Sequence, residues 1–130
     1  MSGAPARLLL AALALIGAAA ASAAPGNGWS RAPDLSVYGA LTTFGQVARE
    51  ESALCAGFRT ATVMRRWERE FAGREAAVTA ALVERHGVEA VQRAAQHPTR
   101  RIECPDIPYG VWWRHYERLL GLLERRMGLA

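Results

Sequence analysis

Apolar residues recur at steps of three and four along the chain, the spacing that places them on one face of an α-helix. The first such segment runs from Asp34, a suitable N-cap residue, to about Glu51. Its apolar positions are Val37, Tyr38, Leu41, Phe44, Val47 and Ala48. Gly57 leaves the end of this helix open, because a glycine can either end a helix or only weaken a longer one.

The same spacing continues in residues 59–86, where the apolar positions extend over more than five turns. On a helical wheel, one stripe of about 100° of arc holds Val63, Met64, Trp67, Phe71, Val78, Ala81 and Leu82. Gly73 falls on the outer face, and Arg66 and Glu70 form an i, i+4 pair on the flank. The pattern predicts a single long helix.

The remaining helices follow Gly87, a suitable C-cap for the long helix. A short helix with Val88, Val91 and Ala95 facing inward ends at Pro98, and a final helix starts near residue 106 or 107. Its apolar stripe, about 120° wide, contains Tyr109, Trp112, Trp113, Tyr116, Leu119, Leu120, Leu123 and Met127. The chain is therefore expected to be all-α, with three main helices and one short helix in a single domain over residues 34–130.

Residues 1–23 have the order of a secretory signal peptide, with one positive charge at Arg7, an apolar run and small residues up to Ala23. A retained anchor is the alternative, but the apolar run is shorter than the roughly 18 to 20 residues that span a membrane. We predict cleavage after Ala23, a flexible leader over residues 24–33, and a periplasmic or secreted protein without a transmembrane segment.

Cys55 and Cys104 are the only two cysteines. An even pair in a small exported domain most often forms a disulfide, so the sequence predicts that these two are bonded. No C-x-x-C spacing of a redox enzyme is present.

All basic residues are arginines, and without Arg7 the mature chain has 15 of them against 12 acidic residues. A net charge of this size does not indicate nucleic-acid binding. Arginine does bind carboxylates and phosphates through its planar guanidinium.

Three arginines of the final helix, Arg114, Arg118 and Arg125, fall opposite its apolar stripe and have no acidic residue at i+4. Such a face is usually only solvated, but it can also contact an acidic protein, an anionic envelope component or a small anion. Arg65 and Arg69, on the outer side of the long helix, are added to this candidate surface.

Trp113 lies at the edge of the apolar stripe beside Glu117 and Glu124, so it is expected to be half exposed and is included among the candidate binding residues. His115 lies on the margin of the same stripe and is included too. As a general base acting with a nearby glutamate, His115 would make the protein a small enzyme. A third alternative is a membrane-surface protein that uses the amphipathic final helix through Trp112 and Trp113.

Other chemistry is not indicated by the sequence. His86, His97 and His115 are dispersed, so no metal site is expected, and glycine-rich phosphate loops and haem-attachment motifs are absent. Glu68, Glu75 and Glu117 could be brought together by packing, but nothing in the sequence distinguishes them. We therefore assign no catalytic residue and expect no cofactor.

Overall fold

The computed structural model describes residues 27–55, 57–96, 104 and 110–129. The predicted signal peptide, His97, Pro98, the start of the final helix and Tyr109 lie outside these residues. Within the predicted leader, Asn27–Arg31 forms a 3₁₀ turn, so this part is not extended. The chain from Pro33 onward forms a separate compact unit.

The described residues of that unit are mostly helical and contain no strand. In chain order the elements are α1 (Asp34–Leu54), α2 (Thr60–Trp67), a π-helical segment (Glu68–Ala72), α3 (Gly73–His86), α4 (Val88–Ala94) and α5 (Gly110–Arg126). Because α2, the π-helical segment and α3 follow one another without a break, they form the predicted long helix. The expected all-α class, with three main helices and one short helix, is confirmed.

Two glycines separate the helices. Gly57 has a φ of 74°, a left-handed value that side-chain-bearing residues rarely adopt, and it lies between α1 and α2. The open question in the sequence is thus settled: Gly57 lies beyond the end of α1 rather than inside a longer helix. Gly87 has a φ of 88° and donates its N–H to the carbonyl of Val83 at 2.8 Å, which closes α3 as predicted.

The π-helical segment corrects a drift in the apolar pattern. Residues four apart, such as Val63, Trp67 and Phe71, advance about 40° around a regular helix at each step. A π-helical turn takes up about one additional residue, which sets the following residues back by about 100°. Val63 and Leu82, about 100° apart on a regular helix, therefore both reach the core, where both are buried.

The core lies mainly between α1 and α5, with α3 and α4 packed beside them. Its buried apolar residues are Val37, Tyr38, Leu41, Phe44, Ala48, Val63, Phe71, Val78, Leu82, Val91, Trp113, Tyr116, Leu119, Leu120 and Leu123. Gly45 allows the close approach of α1 and α5, because a Cβ there would lie only 2.8 Å from Cε2 of Tyr116. Most of the predicted inward positions are confirmed.

Two local predictions are wrong. Asp34 is not an N-cap: Pro33 precedes the helix, and the Asp34 carboxylate instead accepts a hydrogen bond from Nη1 of Arg126 at 3.1 Å. Nε2 of His86 lies 3.7 Å from the same carboxylate. Val88 does not face inward but is exposed, since it follows Gly87 directly at the start of the short α4.

The predicted disulfide is present. Cys55, directly after α1, is bonded to Cys104, and the two Cα atoms are 5.3 Å apart. The bond closes a loop over a sequence separation of 49 residues. It joins the end of α1 to the stretch that precedes α5.

Candidate functional site

The inner face of α5 belongs to the core, and this overturns the prediction for Trp113. The Trp113 side chain is only 5 % exposed. Its Nε1 donates to Oγ of Ser52 at 2.9 Å, and its ring stacks on Phe71 with centroids 5.5 Å apart. The prediction of a half-exposed Trp113 rested on the glutamates beside it on α5. Its actual partners come from α1 and the π-helical segment, which the pattern of α5 alone does not show. Trp113 is therefore not an accessible binding residue.

Ser52 explains how the indole is accommodated. It lies within α1 rather than at a helix start, and its hydroxyl donates to the carbonyl of Ala48 at 2.7 Å while accepting from Trp113. A buried indole N–H without such an acceptor would be destabilising. The Ser52 hydroxyl therefore donates one hydrogen bond and accepts another, so neither its own O–H nor the indole N–H of Trp113 is buried without a partner.

The outer face of α5 carries an arginine row, which we define as Arg114, Arg118 and Arg125. All three side chains are exposed, and none forms an ion pair with a described residue. The side chains of Arg114 and Arg125 extend along the helix surface and cover glycines of α5. A Cβ at Gly110 would lie 3.5 Å from Nη1 of Arg114, and a Cβ at Gly121 would lie 3.4 Å from Nη1 of Arg125.

Two other arginines, in contrast to the arginine row, form ion pairs with glutamates of the chain. Arg66 donates to Glu70 at 2.9 Å, which confirms the predicted i, i+4 pair. Arg74 binds Glu124 through two hydrogen bonds of 3.1 and 2.5 Å. That pair lowers the pKa of the Glu124 carboxyl, chiefly through the hydrogen bonds. The structure thus separates arginines that bind carboxylates from arginines that face solvent without an ion pair to a described residue.

Arg65 and Arg69 belong to the second group. Both are exposed and make no ion pair within the described ranges. They lie on α2 and on the π-helical segment, respectively, so the predicted surface includes residues of more than one element. Between α2 and α5, Arg66 packs over Trp113, with 5.3 Å from its guanidinium carbon to the ring centroid.

His115 lies beside the arginine row, half buried. Its ring centroid is 5.5 Å from that of Phe44 and 6.2 Å from that of Trp112. Burial lowers the pKa of the imidazole, and the positive charges of Arg118 and Arg114 lower it further. No carboxylate among the described residues pairs with His115, so a glutamate partner for general-base chemistry is not seen there.

A shallow cavity of about 90 Å³ opens on another side of α5. Its lining residues are Ser52, Phe58, Thr62, Val63, Arg66 and Trp113. It includes neither His115 nor a member of the arginine row. The cavity therefore does not support the hypothesis that His115 acts as a general base in an enzyme, which requires a pocket around His115.

Among the described residues, no group of three or more His, Cys, Asp or Glu side chains is arranged to hold a metal ion. Within the same part of the chain, no helix is long and apolar enough to cross a membrane.

The chain matches no protein-family model, no curated protein and no solved structure.

Proposed function

We infer that this chain is an exported helical binding protein that contacts an acidic partner protein through the arginine row of α5. The observation that carries the proposal is the exposure of Arg114, Arg118 and Arg125 on one side of a single helix, without an ion pair to any residue that the structure describes. Export is proposed from the signal-peptide pattern of residues 1–23, and the disulfide suits an oxidising compartment.

The geometry of the row favours an extended partner over a small ion. At about 1.5 Å per residue, positions 114 to 125 span roughly 16 Å of helix. A single small anion cannot contact all three side chains over that distance, whereas several carboxylates on a protein surface can. Arginine suits this role because its planar guanidinium can bind a carboxylate through two parallel hydrogen bonds.

The inner face of α5 holds the row in place. Tyr116, Leu119, Leu120 and Leu123 are buried, and Arg74 binds Glu124 near the end of the helix. Because the helix is already ordered before binding, contact with a partner would require only the arginine side chains to lose freedom. Such preorganisation lowers the entropic cost of association.

The proposal can be tested with two triple variants of equal charge. In the first, Arg114, Arg118 and Arg125 are changed to Gln; in the control, the exposed Arg31, Arg59 and Arg93 are changed to Gln. Partners would be captured from the export compartment with the wild-type protein and identified, and the Kd of each would be measured at several salt concentrations. We expect the first triple variant to weaken binding about tenfold or more and to reduce its salt dependence, while the control binds like the wild type.

Each other outcome has a definite meaning. Equal weakening by both triple variants would show an effect of net charge alone, and unchanged binding by the first would exclude the arginine row. If binding to vesicles of anionic lipid, rather than to a protein, depends on Arg114, Arg118 and Arg125, the partner is an envelope component instead.

A further inference from the structure

His115 borders the arginine row, and the proposed function does not use it. On α5 it directly follows Arg114 and comes three residues before Arg118. At about 100° per residue, His115 and Arg118 are about 60° apart around the helix. The imidazole is partly exposed, whereas the Tyr116 ring next to it in the sequence is buried. A partner that contacts both Arg114 and Arg118 therefore passes close to the imidazole.

Two aromatic rings fix the imidazole beside the arginine row. Its centroid lies 5.5 Å from that of Phe44 on α1 and 6.2 Å from that of Trp112 on α5. Because His115 packs against a ring of the neighbouring helix, it cannot turn away from the arginines as freely as a fully exposed side chain. The fold therefore sets the position of the imidazole beside these cations before any partner binds.

The charges that act on His115 are positive. Burial lowers the pKa of the imidazole, and the cations of Arg118 and Arg114, both on α5, lower it further. From α1, the helix packed against it, the imidazole meets the uncharged ring of Phe44. No carboxylate of a described residue forms an ion pair with His115. The environment that the structure describes therefore opposes a positive charge on this imidazole in the free protein.

An acidic partner would change this balance. Carboxylates that bind Arg114 and Arg118 compensate the two cations that oppose protonation of His115. A further carboxylate within hydrogen-bond distance of the imidazole favours its charged form directly. The pKa of His115 would then be higher in the complex than in the free protein. Because the coupling of two binding events is reciprocal, a proton that partner binding favours must in turn favour the partner.

We propose that His115 makes the binding of the acidic partner depend on pH, because its protonated imidazole adds a fourth positive charge beside the arginine row and donates a hydrogen bond to a carboxylate of the partner. This role rests on the proposed function, since it requires an acidic partner on the arginine row. Affinity is lowest above the pKa of His115 in the complex, where the imidazole is neutral in both states. It rises as the pH falls and is highest below the pKa of the free protein, which lies under the ordinary 6.5.

The first test uses a synthetic peptide of ten aspartates as the acidic probe. Its side chains stay largely ionised between pH 5.5 and pH 7.5, since the ordinary pKa of aspartate is about 3.9. The Kd for the mature, oxidised protein is measured across this range at constant ionic strength. We expect binding to be about three to ten times tighter at pH 5.5 than at pH 7.5, because a difference of one pKa unit between the free and the bound protein corresponds to about tenfold in affinity.

Two substitutions of His115 separate its charge from its packing. His115→Phe keeps an aromatic ring against Phe44 and Trp112 but cannot be protonated, so we expect it to bind the peptide at every pH about as the wild type does at pH 7.5. His115→Arg is charged throughout the range, so it should bind at every pH about as the wild type does at pH 5.5. His86→Gln, at the end of α3, is the control and should keep the wild-type pH dependence.

NMR titration of the imidazole C–H signals gives a second measurement that needs no substitution of His115 in the titrated protein. Without peptide, the pKa of His115 should lie below 6.5. With saturating peptide, we expect it to rise by about 0.5 or more, which corresponds to about threefold in affinity. A His115 pKa that is the same with and without bound peptide would overturn the proposal.

Failure of this role can be distinguished from failure of the proposed function. If the wild type does not bind the peptide, or if the triple Gln variant of Arg114, Arg118 and Arg125 binds it equally well, the acidic-partner function fails and the role of His115 fails with it. If the triple variant binds weakly while His115→Phe keeps the wild-type pH dependence, the arginine row is supported and the role of His115 is wrong. Loss of the pH dependence in His115→Phe, but not in His86→Gln, supports both.

Discussion

His115 shows how neighbouring charges set the chemistry of one residue. Burial and the cations of Arg118 and Arg114 lower its pKa below the ordinary value of 6.5. The imidazole is therefore neutral at neutral pH in the folded protein. Because the unfolded chain binds the proton more readily, the contribution of His115 to stability is complete above the ordinary pKa and is lost as the pH falls below it.

The Arg118→Gln variant tests this account. Removing the cation should raise the pKa of His115 towards 6.5, and the loss of stability between about pH 6.5 and pH 5 should become smaller. The pKa can be measured by NMR titration of the imidazole C–H signals, with urea unfolding at each pH. Arg93→Gln, on α4, serves as the control and should leave the titration unchanged. An unchanged His115 pKa in Arg118→Gln would show that the Arg118 cation does not contribute to the shift.

At the scale of the elements, the apolar spacing was sufficient to predict the helices and most of their buried faces. It placed Leu120 and Leu123 inward correctly, because a core position on a helix repeats with a known period. It did not predict the π-helical segment, since the additional residue that this segment contains has no signature in the periodicity of a regular helix. Trp113 was misplaced because its acceptor, Ser52, is 61 residues away in the sequence.

Two glycines in helices are expected to respond in opposite ways to alanine. Gly45→Ala places a methyl group 2.8 Å from the buried ring of Tyr116, which cannot move aside easily, so we expect a loss of about 1 to 3 kcal/mol in the free energy of unfolding. Gly73→Ala adds a methyl group where no atom lies within 4 Å, on an exposed helical residue. It should gain about 0.5 to 1 kcal/mol, because glycine loses more backbone entropy in a helix.

Urea unfolding of the two glycine variants beside the wild type gives both values. The prediction depends on the sign of each change: destabilisation by Gly73→Ala would mean that the long helix needs flexibility next to its π-helical segment. A neutral Gly45→Ala would mean that α1 and α5 can separate at little cost.

At the scale of the whole helical unit, α1 is held at both of its ends. At its start, Asp34 bonds Arg126 at the end of α5 and lies near His86 at the end of α3. At its other end, Cys55 is bonded to Cys104. The carboxylate lies at the positive end of the α1 dipole, while its cationic partners Arg85 and Arg126 lie at the negative ends of α3 and α5, so the helix dipoles add to this contact.

The arginine row and the contacts between helices differ in how far the sequence could reveal them. The exposure of the arginine row follows from the helical wheel, because its residues are opposite a wide apolar stripe. The contact between the Arg49 guanidinium and the Trp67 ring could not be found in this way, since the two residues come from different helices. The sequence offers three glutamates that packing could bring together, and in the structure Glu68 and Glu117 are exposed while Glu75 is half buried.

We expect the exported protein to contain the disulfide and to be stabilised by it. Protein recovered from the export compartment should have the intact mass of residues 24–130 less two hydrogens.

In the entropic model, a bond across a loop of this length stabilises the fold by up to about 4 kcal/mol, so we expect reduction to lower the free energy of unfolding by about 2 to 4 kcal/mol. Because the chain has only two cysteines, a Cys55→Ser, Cys104→Ser variant should match the reduced protein and should not respond to reductant. A mass that includes residues 1–23 would disprove cleavage, and a loss below about 1 kcal/mol would mean that the unfolded chain gains little freedom when the bond is broken.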